Sequence, residues 1–304
     1  MSSRREPDAA PAHRAGHVAI VGRPNVGKST LLNRLIGCKL SITSSKPQTT
    51  RQRITGIVTR PDAQVAFVDT PGYQTEHPSA LNRVMNRAVA ASLQEVDAVV
   101  WVVEALRYDG RDRTLAKLLP RRVPVVLAVN KVDRVRDKKS LLPFIEKLAR
   151  EREFAAVVPV SAARGTQVAE LLDAIVGLLP HGPRLYDEDE ITTASERVLA
   201  AELLREKLFR LLGEELPYAI AVEIDQFRTV GDVRHIHAVI LVEKAGQKAI
   251  VIGKGGGKLK TVATQARQDM ERLFGGRVFL EVWVKVKRGW ASSEAALKRL
   301  GYDA

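Results

Sequence analysis

The chain has 304 residues, 45% of them hydrophobic, and carries 48 Lys+Arg against 35 Asp+Glu, a formal net charge of +13. That length favours two domains over one, and the apolar share excludes a disordered chain. A single cysteine, Cys38, excludes a disulfide framework; it fits a reducing cytosol and reads as a small buried side chain rather than a nucleophile. No apolar run approaches the roughly 20 residues that span a bilayer, and the N-terminus lacks the apolar stretch of a signal peptide, so a cytoplasmic protein is expected. The excess positive charge asks for an anionic partner, nucleic acid or acidic lipid.

Residues 1–16 are small, polar and Pro-containing, and are expected to form a mobile tail. From residue 17, Val-rich runs recur at 17–21, 65–68, 97–103, 123–129 and 155–160, with helical-period segments after most of them. Near-continuous apolar strands alternating with helices imply an α/β domain over 17–180, a mainly parallel sheet with helices on both faces. In such sheets ligands bind beyond the carboxyl ends of the strands. Residues 181–197, with Pro, Gly and the acidic run DEDE, read as a linker. Residues 198–304 form a smaller α+β unit: a helix at 197–212, strand-like segments at 218–226, 235–243 and 248–252, a Gly-rich turn, a helix at 258–274 and a strand at 278–287.

At the first strand end stand Gly22, Arg23, Pro24, Asn25, Val26, Gly27, Lys28 and Ser29, matching G-x-x-x-x-G-K-[ST], with Thr30 opening a helical run. The glycines let backbone N–H groups turn toward phosphate oxygens, Lys28 reaches the β and γ phosphates, and Ser29 offers a hydroxyl to Mg²⁺. Asp69, Thr70, Pro71 and Gly72 follow the strand VAFV. Asp69 is placed to hold Mg²⁺ through water, and the Gly72 N–H to meet the γ-phosphate. Asn130, Lys131, Val132 and Asp133 end another strand. A carboxylate at Asp133 accepts from guanine N1–H and N2–H₂ but would face the acceptor N1 of adenine, which selects GTP over ATP. Ser161 and Ala162 are candidates to supply a backbone N–H to guanine O6.

These elements, in this order, resemble the TRAFAC-class GTPase domain, and within it Ser44 to Arg53 resembles the switch region of the Era branch. The resemblance implies that Thr50, with Thr49 as the alternative, completes the Mg²⁺ and γ-phosphate shell, so that Lys28, Thr50 and Gly72 serve catalysis and Ser29, Thr50 and Asp69 the metal. Ras-like enzymes carry a Gln after the D-x-x-G glycine, whereas Tyr73 stands here. Intrinsic hydrolysis is therefore expected to be slow, at or below the order of 10⁻³ per second. Several relatives of the Era branch use an asparagine at the place of Asn25 to help hold potassium; a turn residue is the alternative. Arg51 and Arg53 are further candidate sources of positive charge.

In the second unit Gly253, Lys254, Gly255 and Gly256 form a G-x-x-G loop of the KH type, expected between an apolar strand and a basic helix. Bare backbone there lets nucleotides approach the helix N-termini, with Lys254, Lys258 and Lys260 adding phosphate attraction. Residues 244–288 hold eleven Lys or Arg against three Asp or Glu, a net +8 of the whole chain's +13. In the last strand Val278, Leu280, Val282, Val284 and Val286 are expected to face the core, leaving Phe279 and Trp283 to stack bases or lie covered. His235 and His237 share a strand face, but no third ligand accompanies them.

With a helix ahead of its strands, this unit resembles the type II KH domain of the Era family, and the C-terminal segment with Trp290, Gly301 and Tyr302 extends the likeness. The resemblance implies a monomeric cytoplasmic GTPase that binds GTP and GDP with Mg²⁺ and associates with small-subunit ribosomal RNA near its 3′ end. It further implies assistance in maturation of the 30S subunit and peripheral contact with the inner membrane. An RNA-binding nucleotide sensor with negligible hydrolysis is the alternative.

Overall fold

The computed structural model describes residues 13–43, 50–51, 53–73, 79–212 and 219–302. Residues 1–12 of the expected tail, Thr49 and most of the expected switch segment lie outside them. A six-stranded sheet runs in the order β2-β3-β1-β4-β5-β6, from β1 (Arg14–Val21), β2 (Ile54–Thr59), β3 (Ala63–Asp69), β4 (Ala98–Glu104), β5 (Val125–Asn130) and β6 (Ala156–Pro159). All neighbours pair in parallel except β2 with β3. The first strand begins inside the expected tail: Arg14, Ala15 and Gly16 pair with Ala63, Gln64 and Val65 of β3.

The Val-rich strands β3, β4 and β5 are buried on both sides because helices cover both faces, whereas β6 at the edge is only partly buried. Leu31, Leu32 and Leu35 of α1 (Lys28–Ile36) and Leu171 and Ile175 of α5 (Val168–Val176) close one face. The other receives Val89 of α2 (Ala80–Ser92), Leu115 of α3 (Gly110–Ala116) and Leu148 of α4 (Leu141–Ala149). Each such side chain contributes about 1.5–3 kcal/mol of transfer free energy, which fixes the strand ends that carry the polar loops. The expected linker runs along the sheet edge rather than away from it. Gln64 Oε1 accepts from the backbone N–H of Leu185 and Tyr186, and Ile57 N–H donates to Ile191.

The second unit has the element order α6 (Glu196–Leu211), β7 (Ile220–Val230), β8 (Val233–Val242), α7 (Ala245–Ile252), α8 (Gly257–Phe274), β9 (Arg277–Val286) and α9 (Glu294–Arg299). β7 and β8 pair antiparallel, β8 and β9 parallel. The expected strand at 248–252 is the second half of helix α7, so the glycine loop joins two helices rather than a strand and a helix. Local capping outweighs the β-branched run AIVI: Gln247 Oε1 accepts from the N–H groups of Glu243 and Lys244, and only Val251 of that run is buried. In β9, Val278 and Val284 are buried and Leu280 and Val282 pack against the same core, but Val286, last residue of an edge strand, is exposed. Phe279 and Trp283 are exposed on the opposite face. His237 pairs with Glu281 at 3.3 Å and the His235 ring lies 5.2 Å from Phe279. Among the described residues no group of three or more His, Cys, Asp or Glu side chains is placed to hold a metal.

The two units are packed together. Ala80, Leu81, Val84 and Met85 of α2 share an apolar cluster with Ala221, Val239 and Leu241 of the second sheet and with Trp290, Leu297, Leu300 and Tyr302. No helix among the described residues is long and apolar enough to cross a membrane.

Candidate nucleotide and RNA sites

The loop between β1 and α1 is shaped by positions that only small or left-handed residues satisfy. Gly27 has φ +103°, and a Cβ there would meet Asn130 Nδ2 at 2.3 Å. A Cβ on Gly22 would meet the Val102 carbonyl at 2.5 Å. Asn25 takes φ +64° and is exposed at the mouth of the cleft, where Pro24, Gly27, Lys28, Ser29, Thr30, Thr43, Thr50 and Gly72 also line the wall. Gly72 comes so close that a Cβ would meet Pro24 at 2.9 Å.

Lys28 is buried and donates to the carbonyls of Gly22 at 3.0 Å and Arg23 at 3.1 Å. Burial lowers its pKa to about 8, with Asp69 pulling upward and Arg23 downward. An anionic phosphate brought to this ammonium would favour its charged form. Arg23 itself is turned away from the cleft: its guanidinium meets Asp112 at 3.1 Å and Glu104 at 3.5 Å. Neither acid was singled out from the sequence. The signal was present for Asp112, which forms a capping box with Asp109 at the start of α3.

Three oxygens converge below the loop. Ser29 Oγ and Thr50 Oγ1 stand 2.8 Å apart and lie 3.0 Å and 3.3 Å from Asp69 Oδ2, so their two protons are shared among three contacts. Asp69 is fully buried, and burial pushes its carboxyl above the ordinary range while Lys28 opposes the shift. Its Oδ1 makes no hydrogen bond among the described residues. Two hydroxyls and a buried carboxylate with an unmatched oxygen suit a hard divalent cation, which would offset the desolvation of Asp69. Of the expected switch ligands, Thr50 is thus brought to the cluster, and Thr49 lies outside the described residues. Thr70 is turned inward, its hydroxyl donating to the Ile20 carbonyl at 2.8 Å. Pro71 is buried, and Tyr73 packs against the sheet core of α2, α3 and α4.

At the base end, Asp133 Oδ1 accepts from Ser161 Oγ at 2.6 Å, and that bond holds its carboxyl below the ordinary range. Asn130 is a tie between loops: its Nδ2 donates to Val26 and its Oδ1 accepts from Ala162 N–H at 3.0 Å. The Ser161 N–H donates to Thr166 at 3.1 Å. Both backbone donors expected for guanine O6 are therefore engaged within the protein, because the end of β6 is bound to the Asn130 loop. Lys131 has φ +66° and reaches Glu104 at 2.8 Å, and Val132 is buried.

In the second unit Gly253, Gly255 and Gly256 all have positive φ, +73°, +56° and +77°. A Cβ on Gly253 would meet Lys258 at 2.9 Å, whereas Gly255 and Gly256 face open space. Lys254, Lys258 and Lys260 are exposed around this bare loop. Arg51, by contrast, is not at the phosphate cleft: its guanidinium donates to the Ile220 carbonyl at 2.7 Å and lies within 6.0 Å of the Phe209, Trp290 and Tyr302 rings. Arg53 is exposed.

A phosphate-binding loop, an Asp-x-x-Gly strand end and an Asn-Lys-x-Asp strand end on one sheet, followed by a helix-GxxG-helix unit, define a P-loop GTPase joined to a KH domain. Residues 17–131 match the family described as "50S ribosome-binding GTPase", and residues 215–291 match the KH domain family. The chain is 56% identical over 294 residues to the GTPase Era of Nitrosomonas eutropha, covering 97% of this chain and 99% of that one. It is 56% identical over 288 residues to the GTPase Era of Chromobacterium violaceum, covering 95% and 97%. Among solved structures it is similar, at TM-score 0.92 and 38% identity over 96% of this chain and 100% of that one, to a Tyr-to-Ala variant of Aquifex aeolicus Era bound to GDP and AlF4⁻. At TM-score 0.93, with the same identity and coverage, it is similar to Era in complex with MgGDPNP and nucleotides 1506–1542 of 16S ribosomal RNA. The chain belongs to the GTPase Era family, and its first domain hydrolyses GTP.

Proposed function

We propose that this GTPase, in its GTP-bound form, binds 16S ribosomal RNA near the 3′ end through the loop at 253–256 and assists assembly of the small subunit. The observation that carries this reading is the near full-length likeness to an Era structure holding that RNA segment, together with three positive-φ glycines and three exposed lysines in the equivalent KH unit here. The matched GTPase family is described by the 50S subunit, but that match spans only residues 17–131, whereas the 16S complex is similar over 96% of the chain. The test is binding of the full chain to RNA of the 16S 3′ end, with a 50S RNA segment as competitor, in GTP-analogue and GDP states. Equal affinity for both RNAs would overturn the reading.

In the nucleotide cleft, Gly22 through Thr30 bind the phosphates, Asp133 reads the guanine edge, and Ser29, Thr50 and Asp69 hold Mg²⁺. The ion, when bound, neutralises charge developing on the phosphate oxygens. Lys28 adds a fixed positive charge, and the Gly72 N–H donates to the γ-phosphate. Tyr73, packed against the sheet, does not orient the attacking water, and Asn25 at the cleft mouth helps hold potassium. The protein acts as a monomer in the cytoplasm. Its positive charge allows peripheral contact with anionic lipid at the inner face of the membrane.

A further inference from the structure

Thr50 and Arg51 are consecutive, so their Cα atoms stand about 3.8 Å apart, yet their side chains serve different domains. Thr50 Oγ1 points to Ser29 and Asp69 in the nucleotide cleft. Arg51 points into the second unit, where it is 2% exposed, bonded to the Ile220 carbonyl of β7 and surrounded by Phe209 of α6 and by Trp290 and Tyr302 of the C-terminal segment. The site also contains the buried Arg205 and its ion-pair partner Glu202. A guanidinium buried beside another guanidinium is costly, and an apolar side chain would pack there with less penalty. Its planar fork supplies what an apolar side chain cannot, a directed bond to a backbone carbonyl combined with stacking on rings.

The other described flank of the switch segment is held by the same domain. Thr43 N–H donates to the buried Glu206 Oε1 of α6 at 3.2 Å, and its hydroxyl does so at 3.3 Å. Lys39 completes that contact by pairing with Glu206 and, at 2.7 Å, with Asp269 of α8.

We propose that Arg51 is a positioning residue for GTP chemistry: by docking in the aromatic cage of the RNA-binding domain it fixes Thr50 beside Ser29 and Asp69. The proposal rests on the reading of Thr50 as the Mg²⁺ ligand. It makes the seating of the second domain part of the metal shell, so that whatever shifts α6 or the C-terminal segment alters the GTP state more than the GDP state. Coupling of this kind is reciprocal for binding.

The test uses full-length Arg51→Met, Arg51→Lys, Tyr302→Leu and Thr50→Ala, with titration of GDP and a non-hydrolysable GTP analogue over a range of Mg²⁺ concentrations. Arg51→Met is expected to weaken the GTP analogue by about tenfold, to leave GDP within about twofold, and to raise the Mg²⁺ concentration needed for GTP-analogue binding. Arg51→Lys, which keeps the charge and loses the fork, is expected to show part of the same selective loss. Tyr302→Leu, altering the cage from the other domain, is expected to do so too. A purely structural residue would lower both nucleotides together or neither, and would not move the Mg²⁺ dependence. Should Arg51→Met fail to fold, the other two variants decide the matter. A GTP-selective loss in Thr50→Ala with none in the Arg51 and Tyr302 variants overturns the positioning role alone. Equal damage to GDP in Thr50→Ala overturns the metal-ligand reading and the positioning role with it.

Discussion

Asn130 Nδ2 donates to the Val26 carbonyl at 2.7 Å, binding the guanine-side strand end to the phosphate loop. The same side chain accepts from Ala162 N–H, so one buried amide holds three loops of the cleft in register. Replacing Asn130 with Ala leaves a buried carbonyl and a buried N–H unmatched, at about 1–3 kcal/mol each. Asn130→Ala is expected to lower the melting temperature and to weaken GTP and GDP alike, read by calorimetry and nucleotide titration. A selective loss of GTP would argue instead for a γ-phosphate role.

Base choice is expected to follow Asp133. Asp133→Asn reverses the hydrogen-bonding sense toward guanine N1–H and should cost GTP about 2–4 kcal/mol while favouring xanthine nucleotides. Ser161→Ala removes the 2.6 Å bond to Asp133 Oδ1 but leaves the carboxylate in place. It is expected to weaken GTP by less than about tenfold, since only one neutral donor is lost. If Asp133→Asn binds GTP as tightly as the parent, the base site lies elsewhere.

Tyr73 packs against the core shared by Val89 and Trp101. Tyr73→Ala is expected to change turnover by less than about tenfold while reducing stability by about 1–3 kcal/mol through lost packing. Exchanging potassium for sodium should slow turnover if Asn25 helps hold the ion. Equal rates in both salts would remove potassium and direct attention to an external partner, since Arg51 is committed to the second domain.

RNA affinity is expected to be separable from nucleotide affinity at Gly255. An added Cβ there meets nothing within 4 Å, but φ is +56°. Gly255→Asp therefore keeps the fold at a backbone cost of about 1–2 kcal/mol, because Asp tolerates the left-handed region better than most residues. Its carboxylate would stand where the phosphates of the bound strand approach. Binding to RNA of the 16S 3′ end should be lost while GTP affinity stays within about twofold, and parent binding should fall with log salt at about −0.7 per neutralised phosphate. A folded Gly255→Asp protein that binds this RNA normally would refute the role of the loop.

The residues proposed for phosphate and base chemistry were legible because their types are dictated by the ligand. A lysine and glycines for phosphate, a hydroxyl and a carboxylate for a metal, and a carboxylate for guanine must follow strand ends, and Val-rich runs betray those ends in the chain itself. The parallel sheet was legible for the same reason, since strands buried on both faces have little choice but continuous apolar side chains. The antiparallel β2 was not, because ITGIVT lies at an edge, where half of its residues are only partly buried and a glycine breaks the run. Residues 248–252 misled because AIVI has strand-like composition, while the capping contact of Gln247 with Glu243 and Lys244 acts over only four positions and leaves no periodic pattern.

Only the tertiary structure decided what depends on segments far apart in the chain. Arg23 and Asp112 are 89 residues apart, and Arg51 and Ile220 are 169 apart. Nothing local tells an arginine whether it will meet a phosphate, an acid or a ring of aromatics. Whether its long side chain turns toward the cleft or into the neighbouring domain is set by the packing of α2, β7 and the C-terminal segment around it. That packing exists only when both domains have folded and closed on each other.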